Sequence, residues 1–210
     1  MKLYSRLEPF YRRFGTWLLC LFYRPHCRGF ECLPRSGAVM LVCNHVSYLD
    51  GPMVAAAVQR AIGRPVRFVI YEPIYQVPLV HHFMQVNRAI PIFPSKEKVK
   101  RALDEISQGL RAGDIICLFP EGKLTPTGGL MRFKPGIEFI LARDCVEVFP
   151  VALTGLWGSV FSRKFKGDVR RFLPRKPGAQ VQVMCGEGLT CGVATANILQ
   201  HAVLRLKHLA

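Results

Sequence analysis

The chain has 210 residues, half of them apolar, which excludes a disordered segment and fits one domain with a sizeable core. Its formal charge of +15 points to an anionic partner: a phospholipid surface, a phosphorylated substrate or nucleic acid. Nucleic acid rests on charge alone, because the chain holds no recognisable binding module and no basic helix with interleaved aromatics, so none is expected as a partner.

Residues 1–23 place Leu3, Leu7, Phe10, Phe14, Trp17 or Leu18, and Leu21 at helical spacing, with Lys2, Arg6, Arg12, Arg13 and Arg24 flanking or interrupting them. The longest apolar run, 14–23, falls short of the roughly 20 residues that span a bilayer. No small-residue cleavage pattern follows it. The expectation is an amphipathic helix lying in the membrane interface, set apart from a single domain over 24–210. A helix docked on the core is the competing reading. The protein is then expected at a membrane surface as a peripheral or monotopic protein of the cytoplasmic face.

The apolar run 38–43 reads as a buried strand, and a helical pattern starts near Gly51, with Pro52 suited to a first helical position. A short strand follows at 66–70, a helix at 73–83, and a strand over 84–92 with Arg88 inside it. Ser95 caps a helix running to Arg111 on the apolar positions Val99, Leu103, Ile106 and Leu110. Strands at 115–119 and 148–153 enclose a helix at 135–143. A strand at 181–185 and an amphipathic helix at 193–209 close the chain, and the basic loop 163–176 is its most linker-like part. This alternation argues an α/β layered fold with a largely parallel mixed sheet flanked by helices. Of eight cysteines, several fall in apolar runs and none forms a Cys-x-x-Cys pair. Reduced, buried thiols facing the cytosol are therefore expected, not a disulfide framework or a zinc site.

His45 sits where a strand hands over to a helix, and Asp50 lies five residues on. A carboxylate beside a histidine fixes the ring's tautomer and stabilises the imidazolium. On an unbroken helix, positions five apart point about 140° apart, so the two meet only if the backbone turns between them. A strand-to-helix junction supplies such a turn. The competing reading is a capping box made by Ser47 and Asp50. A second loop, Phe119-Pro120-Glu121-Gly122-Lys123, also follows a strand and continues through Thr125, Thr127, Gly128, Gly129, Arg132, Lys134 and Gly136. Glycines, hydroxyls and cations beyond a strand end fit an anion site, and a solvated surface turn is the bland alternative. Ligands of open α/β sheets sit beyond the carboxyl ends of strands, and Arg88 is expected within or beside one as well.

Four blocks occur in order across about half the chain: Asn44-His45-(x4)-Asp50, Val86-Asn87-Arg88 before Ile90-Pro91-Ile92, Phe119-Pro120-Glu121-Gly122, and Val148-Phe149-Pro150-Val151-Ala152. Together they resemble the glycerophospholipid acyltransferase family of the lysophosphatidate acyltransferase type. The resemblance implies transfer of an acyl group from acyl-CoA or acyl carrier protein to a lysophospholipid acceptor, with no cofactor besides the donor. It implies His45 as general base, Asp50 as its orienting group and Arg88 on the acceptor's phosphate. Glu121 and Gly122 would shape the acceptor site, and Pro150 would lie near the acyl pocket. Where many members continue Pro-Glu-Gly with Thr-Arg, this chain has Lys123 and Leu124, and Lys123 offers a point charge in place of a fork. That variant, with Gly155-Leu156-Trp157-Gly158-Ser159 downstream, is similar to domains that reacylate lysophospholipids such as 2-acylglycerophosphoethanolamine. Phosphatidate synthesis and a non-catalytic basic lipid-binding module are the alternatives.

Overall fold

The computed structural model describes residues 11, 13–17, 20–21, 23–75, 78–159, 162 and 180–210. Its elements are β1 (His26–Arg28), β2 (Val39–Cys43), α1 (Asp50–Ile62), β3 (Val66–Tyr71), α2 (Glu72–Tyr75), α3 (Pro78–Val86), β4 (Ile90–Ile92), α4 (Lys96–Arg111), β5 (Ile115–Leu118), α5 (Gly136–Arg143), β6 (Val148–Thr154), β7 (Gln182–Cys185) and α6 (Ala196–Leu209). Seven strands form one sheet in the order β1-β7-β6-β2-β5-β3-β4. Among the described residues, only the β6–β7 strand pair is antiparallel. The expected largely parallel mixed sheet flanked by helices is what forms.

The central strands are covered on both faces, which is why β2 reads as an unbroken apolar run instead of an alternating one. On one face α1 sets Met53, Val54, Ala57 and Val58 with Leu41, Cys43, Phe68 and Val151. On the other, Ile106, Leu110, Ile137, Leu199 and Val203 of α4, α5 and α6 gather with Met40, Val42, Ile116 and Ala152. Ser95 caps α4 as expected, its hydroxyl accepting from the Lys98 N–H at 3.3 Å.

Four expectations need correction. The strand read over 84–92 is mostly the end of α3, and only 90–92 are extended. The Ala89 N–H reaches the Met84 carbonyl and the Arg88 N–H that of Gln85, which is a Schellman motif with Arg88 left-handed at φ 47. Glycine usually marks that position, and its absence hid the helix end. The stretch read as one helix over 73–83 is two, α2 and α3. The helix expected from 193 starts at Ala196, because Thr195 caps it by accepting from the Ile198 N–H. Finally, Cys145 and Cys191 form a disulfide, while Cys43, Cys117 and Cys185 are free and buried. The bonded pair lies outside the apolar runs, in the irregular segments before β6 and α6.

The helix expected over 1–23 lies largely outside the described residues, as does the loop 163–176. Of the former, 11, 13–17, 20, 21 and 23 are described and helical, with Phe14, Trp17 and Leu21 exposed. Among the described residues, no helix is long and apolar enough to cross a membrane.

Candidate active site

The site lies at the carboxyl end of β2, the middle strand of the sheet. Asn44 ends the strand. It is fully buried, and its amide continues the ladder to β6, donating to the Leu153 carbonyl at 3.0 Å and accepting from the Leu153 N–H at 2.7 Å. With the chain anchored there, the next five residues turn, and Asp50 opens α1. The turn brings the two functional groups together: His45 Nδ1 lies 2.8 Å from Asp50 Oδ2.

Asp50 is fully buried, and its Oδ2 also accepts from the Val46 N–H at 2.6 Å and the Ser47 N–H at 2.9 Å. Burial pushes the Asp50 carboxyl up from its ordinary value, against the opposing pull of His45 and of the Ser47 and Val46 amides. An oxygen that accepts from three donors fixes the proton of the ring on Nδ1 and leaves Nε2 as the basic nitrogen. The capping reading is realised in part. Asp50 does reach back to the Ser47 N–H, but the Ser47 hydroxyl accepts from Leu49 and caps nothing in α1.

The second loop clamps the first. Glu121 is buried, and its two oxygens accept from the His45 N–H at 2.8 Å and the Met131 N–H at 3.1 Å. The Thr125 N–H donates to the His45 carbonyl at 2.9 Å, so the peptide groups on both sides of His45 are held. Burial pushes the Glu121 carboxyl up, with the His45 and Met131 amides opposing it. Phe119 stacks under the imidazole, with ring centres 4.3 Å apart. Trp157 packs over Gly128, and the Ser159 hydroxyl lies 3.4 Å from that of Ser47, so the Gly155–Ser159 stretch braces both loops. Gly122 is left-handed at φ +70, and Lys123 is exposed.

A protein-family model described as Acyltransferase matches residues 24–154. The chain belongs to this acyltransferase family. It is 26% identical over 197 residues to a chloroplastic 1-acyl-sn-glycerol-3-phosphate acyltransferase of Arabidopsis thaliana, across 86% of this chain and 53% of that one. It is 27% identical over 179 residues to the corresponding chloroplastic protein of Brassica napus, across 79% and 49%. The chain thus spans about half the length of the curated relatives it matches. Its fold matches the crystal structure of the 1-acyl-sn-glycerophosphate acyltransferase PlsC from Thermotoga maritima with a TM-score of 0.68 at 20% identity, covering 96% of this chain and 77% of that one.

Within this acyltransferase fold, two of the expected site residues stand apart from His45. Arg88 precedes β4 and lies at the amino-terminal edge of the sheet. By register it is level with Arg67 and Met40, five residues short of His45, or about 16 Å at 3.3 Å per residue. There its guanidinium donates to Asp114 Oδ1 at 3.2 Å. It does not sit beyond a strand end, because the residues taken for its strand are helix and turn. Pro150 lies inside β6. Its neighbours Phe149 and Val151 face the α1 side, so Pro150 faces the opposite layer, where its Cγ nears Gly186. Asn44, Phe119, Thr125 and Ser159 join the site without having been assigned a role from sequence. Phe119, Thr125 and Ser159 stood inside stretches the sequence singled out, and Asn44 carried a signal as a polar residue directly after an apolar strand.

Proposed function

We propose that this domain moves a fatty acyl group from a thioester, acyl-CoA or acyl carrier protein, to the free hydroxyl of a lysophospholipid in phospholipid synthesis or remodelling. The 2.8 Å contact between His45 Nδ1 and Asp50 Oδ2 carries the reading. With Nδ1 committed to Asp50, Nε2 takes the proton of the acceptor hydroxyl as its oxygen attacks the thioester carbonyl. The carbon–sulfur bond then breaks, and the imidazolium, stabilised by Asp50, returns its proton to the departing thiolate. The scheme needs no protein nucleophile. Cys43 and Cys117 flank the site on adjacent strands, but burial pushes both thiols up and keeps them protonated. No cofactor besides the donor enters any step.

Lysophosphatidate as acceptor is the second reading, and the names of the relatives, 1-acyl-sn-glycerol-3-phosphate acyltransferases, favour it. The Lys123-Leu124 departure favours another lysophospholipid. Both substrates carry long acyl chains, so this reading places the protein on a membrane surface, at the cytoplasmic face, with residues 1–23 as its interfacial contact. A panel of lysolipids tested with both donor types and read by product mass tests the proposal. One acceptor class should gain an acyl chain. Acylation of none would contradict it.

A further inference from the structure

At the amino-terminal edge of the sheet, Arg67 bonds Glu105 at 2.7 Å and Asp114 at 3.0 Å, and Arg88 shares Asp114. At the carboxyl edge beside His45, Lys123, Arg132 and Lys134 have no ion pair among the described residues. The nearby acid, Glu121, has both oxygens occupied by backbone N–H groups. Of these cations, Lys134 is an exposed side chain on an anchored backbone. Its N–H donates to the Pro120 carbonyl at 3.0 Å, and the preceding Phe133 is buried, with its own N–H on Gln200. These anchors carry the Lys134 side chain across Gly122, where a Cβ would stand 2.7 Å from its Nζ. Gly122 therefore serves two ends: it takes the left-handed backbone, and it leaves a passage for the ammonium. Leu124, by contrast, is buried, so the residue that departs from the Thr-Arg pattern cannot reach an anion.

We infer that Lys134, laid over Gly122, binds the phosphate group of the acceptor and so sets its specificity. This rests on the acyl-transfer reading of the site and deepens it. A lone ammonium gives a point contact where a guanidinium would give a fork, and it can meet the non-bridging oxygens that a phosphodiester and a monoester both present. A phosphate at this lip could equally come from the nucleotide of the donor, so the test separates the two. Kinetics of Lys134→Met are measured with the acceptor varied at saturating acyl-CoA. The donor is then varied at saturating acceptor, using acyl-CoA and an acyl-N-acetylcysteamine thioester that lacks phosphate.

The kcat/KM for the phosphate-bearing acceptor should fall about ten- to a hundredfold, the usual worth of a hydrogen bond to a charged group. The value for either donor should change less than about twofold, as should both values in the control Lys100→Met, an exposed lysine of α4. A monoacylglycerol acceptor, which lacks the phosphate, should be indifferent to Lys134. An unchanged acceptor constant, or a loss confined to acyl-CoA, overturns the assignment. A binding arm needs no turnover: millimolar glycerol 3-phosphate should raise the thermal midpoint of the wild type but not of Lys134→Met. If the wild type acylates nothing, the acyl-transfer reading fails, and this arm alone decides the anion site. An equal shift in the two proteins would sink it.

Discussion

Asn44 and Glu121 are buried polar side chains whose partners are backbone groups of other segments, which makes each of them a strut. Removing a strut leaves interior N–H or C=O groups without a partner. Asn44→Ala should therefore cost about 2–6 kcal/mol in denaturant unfolding, since both polar groups of Leu153 lose their partner at roughly 1–3 kcal/mol apiece. Glu121 makes a different, pH-linked contribution. Its folded-state pKa is raised above the ordinary 4.5, so above that value the unfolded chain gives up the proton first. Its contribution to stability is then greatest at low pH and falls as pH rises from 4.5 through the raised value. Glu121→Gln removes that slope, whatever its effect on the overall level. A series of unfolding curves from pH 4 upward should show the wild type losing stability relative to the variant, and parallel curves would contradict this. These struts explain what the sequence leaves hidden. His45 and Asp50 declare themselves by residue type and position, whereas the partners of Asn44 and Glu121 are backbone groups, which have no sequence signature.

The elements that could be read from sequence are those with an unambiguous period or end. β2, β5 and β6 are short apolar runs, and α4 has both a cap and an apolar stripe. α3 had neither: an apolar helix ending on Arg88 in a left-handed turn looks like a strand with a cation in it. β1 is three residues at the sheet edge, too short and too polar to carry a pattern. The misread end of α3 decides what Arg88 can do. With its guanidinium on Asp114 at the far edge, Arg88→Gly should leave the acceptor's KM unchanged. Stability should stay within about 1 kcal/mol, because relief of the left-handed strain offsets loss of a half-exposed ion pair. A severalfold rise in acceptor KM in a folded Arg88→Gly protein would return Arg88 to the site.

At the carboxyl edge of the sheet Lys123, Arg132 and Lys134 have no ion pair among the described residues, whereas Arg67 and Arg88 at the opposite edge share Asp114, and the edge that carries the site is the one we propose to face anionic lipid. Each basic residue near an anionic surface contributes about 1 kcal/mol at best, and salt screens it, so apolar burial by the stripe in residues 1–23 is needed as well. Binding to anionic vesicles should weaken with salt without vanishing, and deletion of residues 1–23 should nearly abolish it once the truncated protein is shown to be folded. Equal flotation of the two forms would move the docking surface elsewhere. In the proposed mechanism His45, held by Asp50, takes a proton from a lysolipid hydroxyl so that it can attack a thioester. The most direct measurement is release of free thiol from acyl-CoA by the purified protein, with and without lysophospholipid, in wild type and His45→Ala. Thiol release is expected only with acceptor present, matched by acylated product, with a drop of roughly 10²–10⁴ in turnover for a folded His45→Ala. Thiol release that needs no acceptor, or that persists undiminished without the imidazole, would contradict it.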